Sequence, residues 1–344
     1  MRKKYFGLLI FVVLITTALV SLTGCGAKST ATNAPKVNES VSDKPLVKIR
    51  LANLAVGISY MPQQLAIEKG IFAKHGIDLQ VVNFTQGGAA AIAGVASGGI
   101  DIGEFGTPII TGITKGIPIK IVASPPDKRM NFVLVATNDI KTVQDLKGKT
   151  VATGALGGGV HQSFLKILAG NGVKESDVKV MATGGTDAYM ILTSGKVAAV
   201  ETSLDTAIRA EKAGTGHLLA NAKDYYQNYQ HTYVFATNKL IETNPEAIRN
   251  YLAASREGYE YAQSHQDELV AYTIKTINMD EGLVREYWKQ IIPIWDLSFK
   301  VDVEGTGGAL KVLQELKEVD SSVKFEPDKW IDLSFAGKWE KPNQ

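Results

Sequence analysis

Residues 87–104, GGAAAIAGVASGGIDIGE, return 97 positions later as residues 184–201, GGTDAYMILTSGKVAAVE. Six of the eighteen positions are identical: Gly87/Gly184, Gly88/Gly185, Ala91/Ala188, Ser97/Ser194, Gly98/Gly195 and Glu104/Glu201. Both copies read as a glycine turn, a helix and a strand. A solenoid repeats every ~20–50 residues, so this period is too long for one. It calls instead for two similar lobes, each with its own core.

Short β-rich runs alternate with amphipathic stretches on either side of the repeat. Strands are expected at 47–53, 77–84, 100–104 and 117–124, with helices at 62–76, 87–99 and 108–116 between them. In 62–76, Leu65, Ile67, Phe72 and Ala73 share a helical face and Gly76 ends it. The cycle restarts with strands at 150–154, 177–183, 197–203 and 217–222 and helices at 161–172, 184–196 and 204–214. Two apolar runs, NFVLVAT (131–137) and TYVFATN (232–238), read as crossovers between the halves. Beyond them the chain is helical at 244–265, 267–277, 281–290 and 304–319, with Asn244 as N-cap and Pro245 at the first helical position. This alternation predicts an α/β protein of parallel sheets built from right-handed βαβ units. Lobe 1 is expected over 46–137 plus 238–344, and lobe 2 over 138–237.

The start of the chain sets an expectation about location. Arg2, Lys3 and Lys4 precede an apolar run from Tyr5 to about Val20, then Leu22-Thr23-Gly24-Cys25. That is a charged region, a short apolar region and a small-residue cleavage site, the pattern of a signal peptide over 1–24. Residues 25–45 are rich in Ser, Thr, Ala, Asn and Lys without an apolar period, as expected of a flexible tether. Cys25 is the only cysteine, so no intrachain disulfide can form. The 37 basic residues, less the three at the start, leave 34 against 35 acidic ones. With no basic stripe, nucleic acid is not an expected partner.

In open α/β sheets, ligands bind beyond the carboxyl ends of the strands, where helix N-termini offer free N–H groups. Two lobes joined by two crossovers place those ends face to face. Four strand-to-helix turns then become candidate contacts: 53–60, 85–88, 153–161 and 183–186. The candidate ligand residues there are Asn53, Ser59, Tyr60, Gln86, Gly87, Gly88, Thr153, Gly158, Gly159, His161, Gly185 and Thr186, joined by Glu104, Thr107, Glu201 and Ser203 at the ends of the repeated strands. GALGGG (154–159) lacks the G-x-G-x-x-G spacing of a dinucleotide fingerprint. No H-E-x-x-H, G-x-S-x-G, P-loop or Cys/His metal spacing occurs, so neither an enzyme nor a cofactor is expected. Glu104 and Glu201 have two further readings: each caps the helix after it, or each pairs with a neighbouring cation such as Lys128 or Arg129. Tyr60, Phe105, Phe132 and Trp295 are candidate walls of the cleft.

GIFAKHGIDLQVV (70–82), GGIDIGEFGTPIITGITKGIPIKIVAS (98–124), DLKGKTVATGALGGGVHQSFLKILAGNGV (145–173) and TSGKVAAV (193–200) resemble the substrate-binding lipoproteins of nitrate/sulfonate/taurine ABC importers, a family that shares its fold with binders of thiamine-pyrimidine precursors. The resemblance spans about Val47 to Trp330. It implies a periplasmic-binding-protein-like fold of two lobes closing on a small molecule, with an ABC permease and its ATPase as partners, a monomeric chain and no enzymatic activity. Leu22-Thr23-Gly24-Cys25 resembles a lipoprotein box, which implies a lipid on Cys25 holding the protein outside the cytoplasm. The resemblance implies a small organic or inorganic anion of the sulfonate, nitrate or taurine type as the solute, with a pyrimidine or amine-bearing ligand such as a thiamine precursor as the alternative. Here the sequence departs from the family. Family members commonly carry apolar residues where this chain has Glu104 and Glu201, and many have Trp-Glu-Pro where it has Thr202-Ser203-Leu204. Two carboxylates near a cleft raise the cost of an anion unless they are protonated or paired, and would suit an amine, a pyrimidine amino group or a zwitterion.

Overall fold

The computed structural model describes residues 45–54, 57–84, 87–183 and 187–335. The expected signal peptide, nearly all of the tether, Cys25, Gln86, Gly185 and Thr186 lie outside these residues. Strands β1 (Val47–Asn53), β2 (Ile77–Asn83), β3 (Ile102–Phe105), β4 (Ile119–Ala123) and β5 (Phe132–Ala136) are followed by β6 (Thr150–Thr153), β7 (Lys179–Ala182), β8 (Ala199–Ser203), β9 (His217–Asn221) and β10 (Tyr233–Thr237). They form two sheets of identical plan, β2-β1-β3-β10-β4 and β7-β6-β8-β5-β9. The repeat seen in the sequence is thus a repeat of topology.

Helices α1 (Met61–Glu68) and α2 (Ile71–Lys74) follow β1, α3 (Gly88–Ala96) follows β2, and α4 (Pro108–Thr114) follows β3. Their counterparts α5 (Gly159–Gly170), α6 (Ala188–Thr193) and α7 (Leu204–Lys212) follow β6, β7 and β8. After β10 come α8 (Asn238–Thr243), α9 (Pro245–Ser264), α10 (Gln266–Ile277), α11 (Glu281–Ile291), α12 (Val303–Glu315) and α13 (Pro327–Trp330). The single helix expected at 62–76 is two, because Gly70 takes a left-handed φ of 69° between them. Among the described residues, no helix is long and apolar enough to cross a membrane.

The sheets are mixed rather than purely parallel. β1 runs parallel to β2 and β3, whereas β10 is antiparallel to β3 and β4. β5 is likewise antiparallel to β8 and β9. These are the two crossovers, and each enters from the other half, against the direction of the βαβ strands. Each also belongs to the sheet it enters. The expected boundaries at 137/138 and 237/238 place each with the half it leaves; hydrogen bonding puts 132–136 with the second sheet and 233–237 with the first.

Both sheets are covered on both faces. In the first, Ile49, Leu51, Ile102 and Val234 pack with Phe72, Ile248, Tyr251 and Leu252 of α2 and α9. Its other face sets Phe105, Tyr233 and Phe235 against α4 and α12 through Ile109, Ile110, Leu310 and Leu313. In the second, Leu134, Val151 and Ala199 pack on Phe164, Ile167 and Leu168 of α5. Val133, Val135 and Val200 pack on Leu192 of α6 and Ala207 and Ala210 of α7. A further cluster joins the halves: Ile208 of α7 meets Met61 and Leu65 of α1 and Leu283, Val284 and Tyr287 of α11. Each such side chain, fully buried, contributes about 1.5–3 kcal/mol.

Candidate functional site

Side chains alternate along β3, so Glu104 shares the α1/α9 face with Ile102. Gln63 of α1 donates from Nε2 to Tyr251 Oη at 3.1 Å and reaches Glu104 Oε2 at 3.5 Å. Burial pushes the Glu104 carboxyl up to about 7. Its charge adds to burial in raising the phenols of Tyr60, Tyr251 and Tyr259. Yet Glu104 keeps partial solvent access. Glu104 is thus enclosed by protein and still reached by water.

Two more carboxylates share this condition. Asp127 lies in the segment leading to β5; burial raises its carboxyl against the opposing pull of Arg129, whose Nε stands 3.4 Å from Oδ1. Asp205 lies in the first turn of α7; burial raises it too, although Ser203 Oγ donates to it at 2.5 Å. Both are only half-buried by solvent access. Tyrosines thus lie within electrostatic reach of all three acids, Tyr259 of Glu104 and Asp127 and Tyr287 of Asp127 and Asp205.

Glu201 is different. It is 1% exposed, and Ser163 Oγ of α5 donates to its Oε1. Its Oε2 has no partner. Burial pushes its carboxyl up to about 8, with the Ser163 bond pulling the other way. The parallel pairs Val151↔Ala199 and Ala152↔Val200 set Thr153 level with Glu201, and Thr153 Oγ1 is also buried and unpaired. Neither glutamate is a helix cap: Thr107 and Ser203 hold those positions, and no side chain caps α4 or α7. Neither pairs with the cations considered, since Lys128 binds Asp296 and Arg129 binds Asp127.

The remaining expected residues divide. Asn53 ends β1 and donates to Asn83 Oδ1 at 2.9 Å, leaving its own Oδ1 buried and unpaired. Ser59 is exposed, and Tyr60 beside it is half-buried. Gly87 precedes α3, and Gly88 gives its side-chain space to Pro108, whose Cγ would lie 2.5 Å from a Cβ there. Thr107 Oγ1 crosses to Gln162 Oε1 at 3.3 Å. Gly158 and Gly159 open α5, which has no side-chain cap. His161 turns back into its own half, accepting from Gly157 N at 3.1 Å and meeting Glu175 at 3.3 Å. Phe105 is core, edge-on to Phe235 at 5.4 Å. Trp295 packs edge-on to Tyr259 at 5.0 Å, and Phe132 to His231 at 5.2 Å.

Asp127, Asp205, Tyr259, Gln63, Ser163 and His231 carry no signal in the sequence that marks them for the site. His231 is 5% exposed, its Nδ1 is unpaired, and burial lowers its imidazole to about 4. Its Cε1 stands 2.9 Å from where a Cβ on Gly106 would be and 3.7 Å from one on Gly159, so it fills the gap between the two halves' strand-end turns. Among the described residues, no group of three His, Cys, Asp or Glu side chains could hold a metal ion.

Two halves of identical plan, joined by two strands, have the periplasmic-binding-protein fold. The crystal structure of the periplasmic aliphatic sulphonate binding protein SsuA from Escherichia coli matches with a TM-score of 0.66 and 22% identity, over 81% of this chain and 96% of that one. Residues 58–269 match the family described as NMT1/THI5 like, and the chain belongs to it. The riboflavin-binding protein RibY of Chloroflexus aurantiacus is 22% identical over 302 residues, 86% of this chain and 85% of that one. The formylaminopyrimidine-binding protein of Halalkalibacterium halodurans is 27% identical over 239 residues, 67% and 71% of the two chains.

Proposed function

We propose that this chain is the solute-binding component of an ABC importer, held outside the cytoplasm by a lipid on Cys25, and that its solute carries amino or basic ring nitrogens. The observation that carries the ligand class is the set Glu104, Asp127 and Asp205, which keep solvent access while burial raises all three carboxyls. An ammonium, amidine or aminopyrimidine edge offers them hydrogens and positive charge, and Tyr60, Tyr259 and Tyr287 supply apolar and aromatic walls. The cations near this space are already engaged: Arg129 with Asp127, Lys128 with Asp296, and Arg209 with Asp187 and the Tyr189 ring. The formylaminopyrimidine-binding relative is named for an amino-bearing heterocycle, which supports the same reading.

The two lobes are proposed as the residues built on each sheet, 46–124 with 232–335 and 131–222. The chain acts as a monomer that presents its solute to a permease served by an ATPase. The anion reading has its own observation, the uncapped N-terminus of α5 beside the unpaired Thr153 hydroxyl.

A thermal-shift and calorimetric screen of aminopyrimidines, amines, sulfonates and nitrate decides between the two readings. Binding by nitrogen bases, weakened in Glu104→Gln, is the expected result. Binding confined to sulfonates or nitrate, unchanged in that variant, would replace it with the anion reading.

A further inference from the structure

The two sheets are bridged on both sides of the cleft, but by opposite kinds of contact. On one side the seam is apolar: Ile208 of α7 is buried with Leu283, Val284 and Tyr287 of α11 and with Met61 and Leu65 of α1. The polar contact there, Lys212 to Asp280, is 3.9 Å long and exposed. On the other side the seam is polar. Gln162 of α5 accepts from Thr107 Oγ1 at 3.3 Å and donates to Glu318 Oε2 at 2.5 Å, both in the first half. One turn further on, Lys166 pairs with Glu315 at the end of α12. Gln162 also donates to Gly157 O at 3.1 Å, in the glycine turn that opens α5. One side chain therefore ties the turn facing the cleft to the opposite lobe.

These seams differ in how they part. Separating an apolar seam exposes surface that water does not welcome. Separating hydrogen bonds and ion pairs exchanges them for bonds to water, at small net change. The connecting segments are themselves pinned together, His231 N donating to Lys128 O at 2.8 Å and Thr232 Oγ1 to Asp127 O at 2.7 Å.

We infer that the second lobe pivots about the α7–α11 seam and that the α5–α12 seam is the latch, with Gln162 as the residue that couples the glycine turn to closure. The ligand then enters and leaves from the α5–α12 side. Gln162 acts through Thr107 and Glu318 and is a positioning residue, whatever solute the cleft takes.

The chain has one cysteine, Cys25, so a Cys25→Ser background accepts spin labels in chosen pairs. One pair, Ala169→Cys with Lys311→Cys, spans the latch; a second, Ala213→Cys with Gln290→Cys, spans the pivot. All four sites are exposed. Electron–electron distances are measured on the ligand-free protein, with and without Gln162→Ala plus Lys166→Glu. The latch distance should lengthen beyond the width of its original distribution while the pivot distance holds. Adding Glu315→Lys to Lys166→Glu should shorten the latch distance again. A latch distance that does not change, a pivot distance that lengthens equally, or a charge swap without recovery would each overturn the inference. Circular dichroism confirms that each variant is folded. No ligand enters the measurement, so its outcome is independent of the amine-against-anion question.

Discussion

Glu104 and Glu201 occupy the same place in two copies of one sheet. Each lies opposite the incoming antiparallel strand, Glu104 facing Val234 and Glu201 facing Leu134. Each is also approached by the helix that follows its lobe's first strand, through Gln63 on α1 and Ser163 on α5. Their surroundings then diverge. Glu104 opens toward water among tyrosines, whereas Glu201 is sealed beneath α5 with one oxygen unpaired. One position of an internal repeat thus has two settings, a carboxylate reached by water in one lobe and a sealed acid in the other.

The buried acid sets a pH dependence of stability. The Glu201 carboxyl is raised to about 8 from an ordinary 4.5, so the folded protein holds a proton that the unfolded chain releases. Its stabilisation is complete below the unfolded value and is lost as pH rises through the folded one. Glu201→Gln keeps an acceptor for Ser163 and carries no charge. The variant should match the parent near pH 5 and exceed it at pH 8.5 by a few kcal/mol, because each tenfold change in proton affinity is worth about 1.4 kcal/mol. Urea melts at several pH values check this; identical pH slopes in the two proteins would remove Glu201 as their source.

Glu104 should govern affinity, beside the pH-dependent stability that its raised carboxyl brings by the same linkage. In the free protein its carboxyl is raised to about 7, so a cationic amine must displace a proton to bind below that pH. Affinity for such a ligand is expected to climb from pH 5 to 7 and level off above. Glu104→Gln should lower it by about tenfold or more, the worth of one charge-assisted bond, and flatten the pH profile. Calorimetry in two buffers of different ionisation heat would count the proton released.

Much of this fold is legible in the order of residues alone. Strand–helix alternation is a local pattern, and β1 at 47–53 and the repeat both follow from it. Sheet membership is not local: nothing within NFVLVAT tells which strands it will pair with, and only the folded sheets set β5 between β8 and β9 and β10 between β3 and β4. The site is half legible for a related reason. A two-residue period puts Glu104 on one face of β3 but does not say that α1 and α9 cover that face. Asp127 and Asp205, in a loop and in a first helical turn, have the sequence context of ordinary surface acids. Only folding encloses them. His161, singled out because it opens the helix after the glycine turn, accepts from Gly157 and meets Glu175, partners that its position in the sequence does not announce.

The proposed lipid on Cys25 carries its own test. Cys25→Ser should move the protein from the membrane fraction to the soluble extracytoplasmic one. Ligand affinity should be unchanged, because Cys25 is not among the candidate contacts. Retention of the variant in membranes would point to an uncleaved apolar anchor at residues 5–20 instead.

Gly106 and His231 should prove coupled. A Cβ on Gly106 would stand 2.9 Å from His231 Cε1, 3.2 Å from Nε2 and 3.3 Å from its carbonyl oxygen. The ring cannot retreat freely: Phe132 lies edge-on at 5.2 Å, Tyr229 stacks at 6.2 Å, and the backbone is bonded to Lys128. Gly106→Ala therefore forces the turn after β3 away from the connecting segment, at a cost of about 1–3 kcal/mol. His231→Ala alone removes ring packing but frees that space. If the ring is the obstacle, the double variant should be more stable than the sum of the single losses allows, by about 0.5 kcal/mol or more. Strict additivity in urea melts would mean that the close approach to the His231 carbonyl, and not the ring, makes Gly106 necessary.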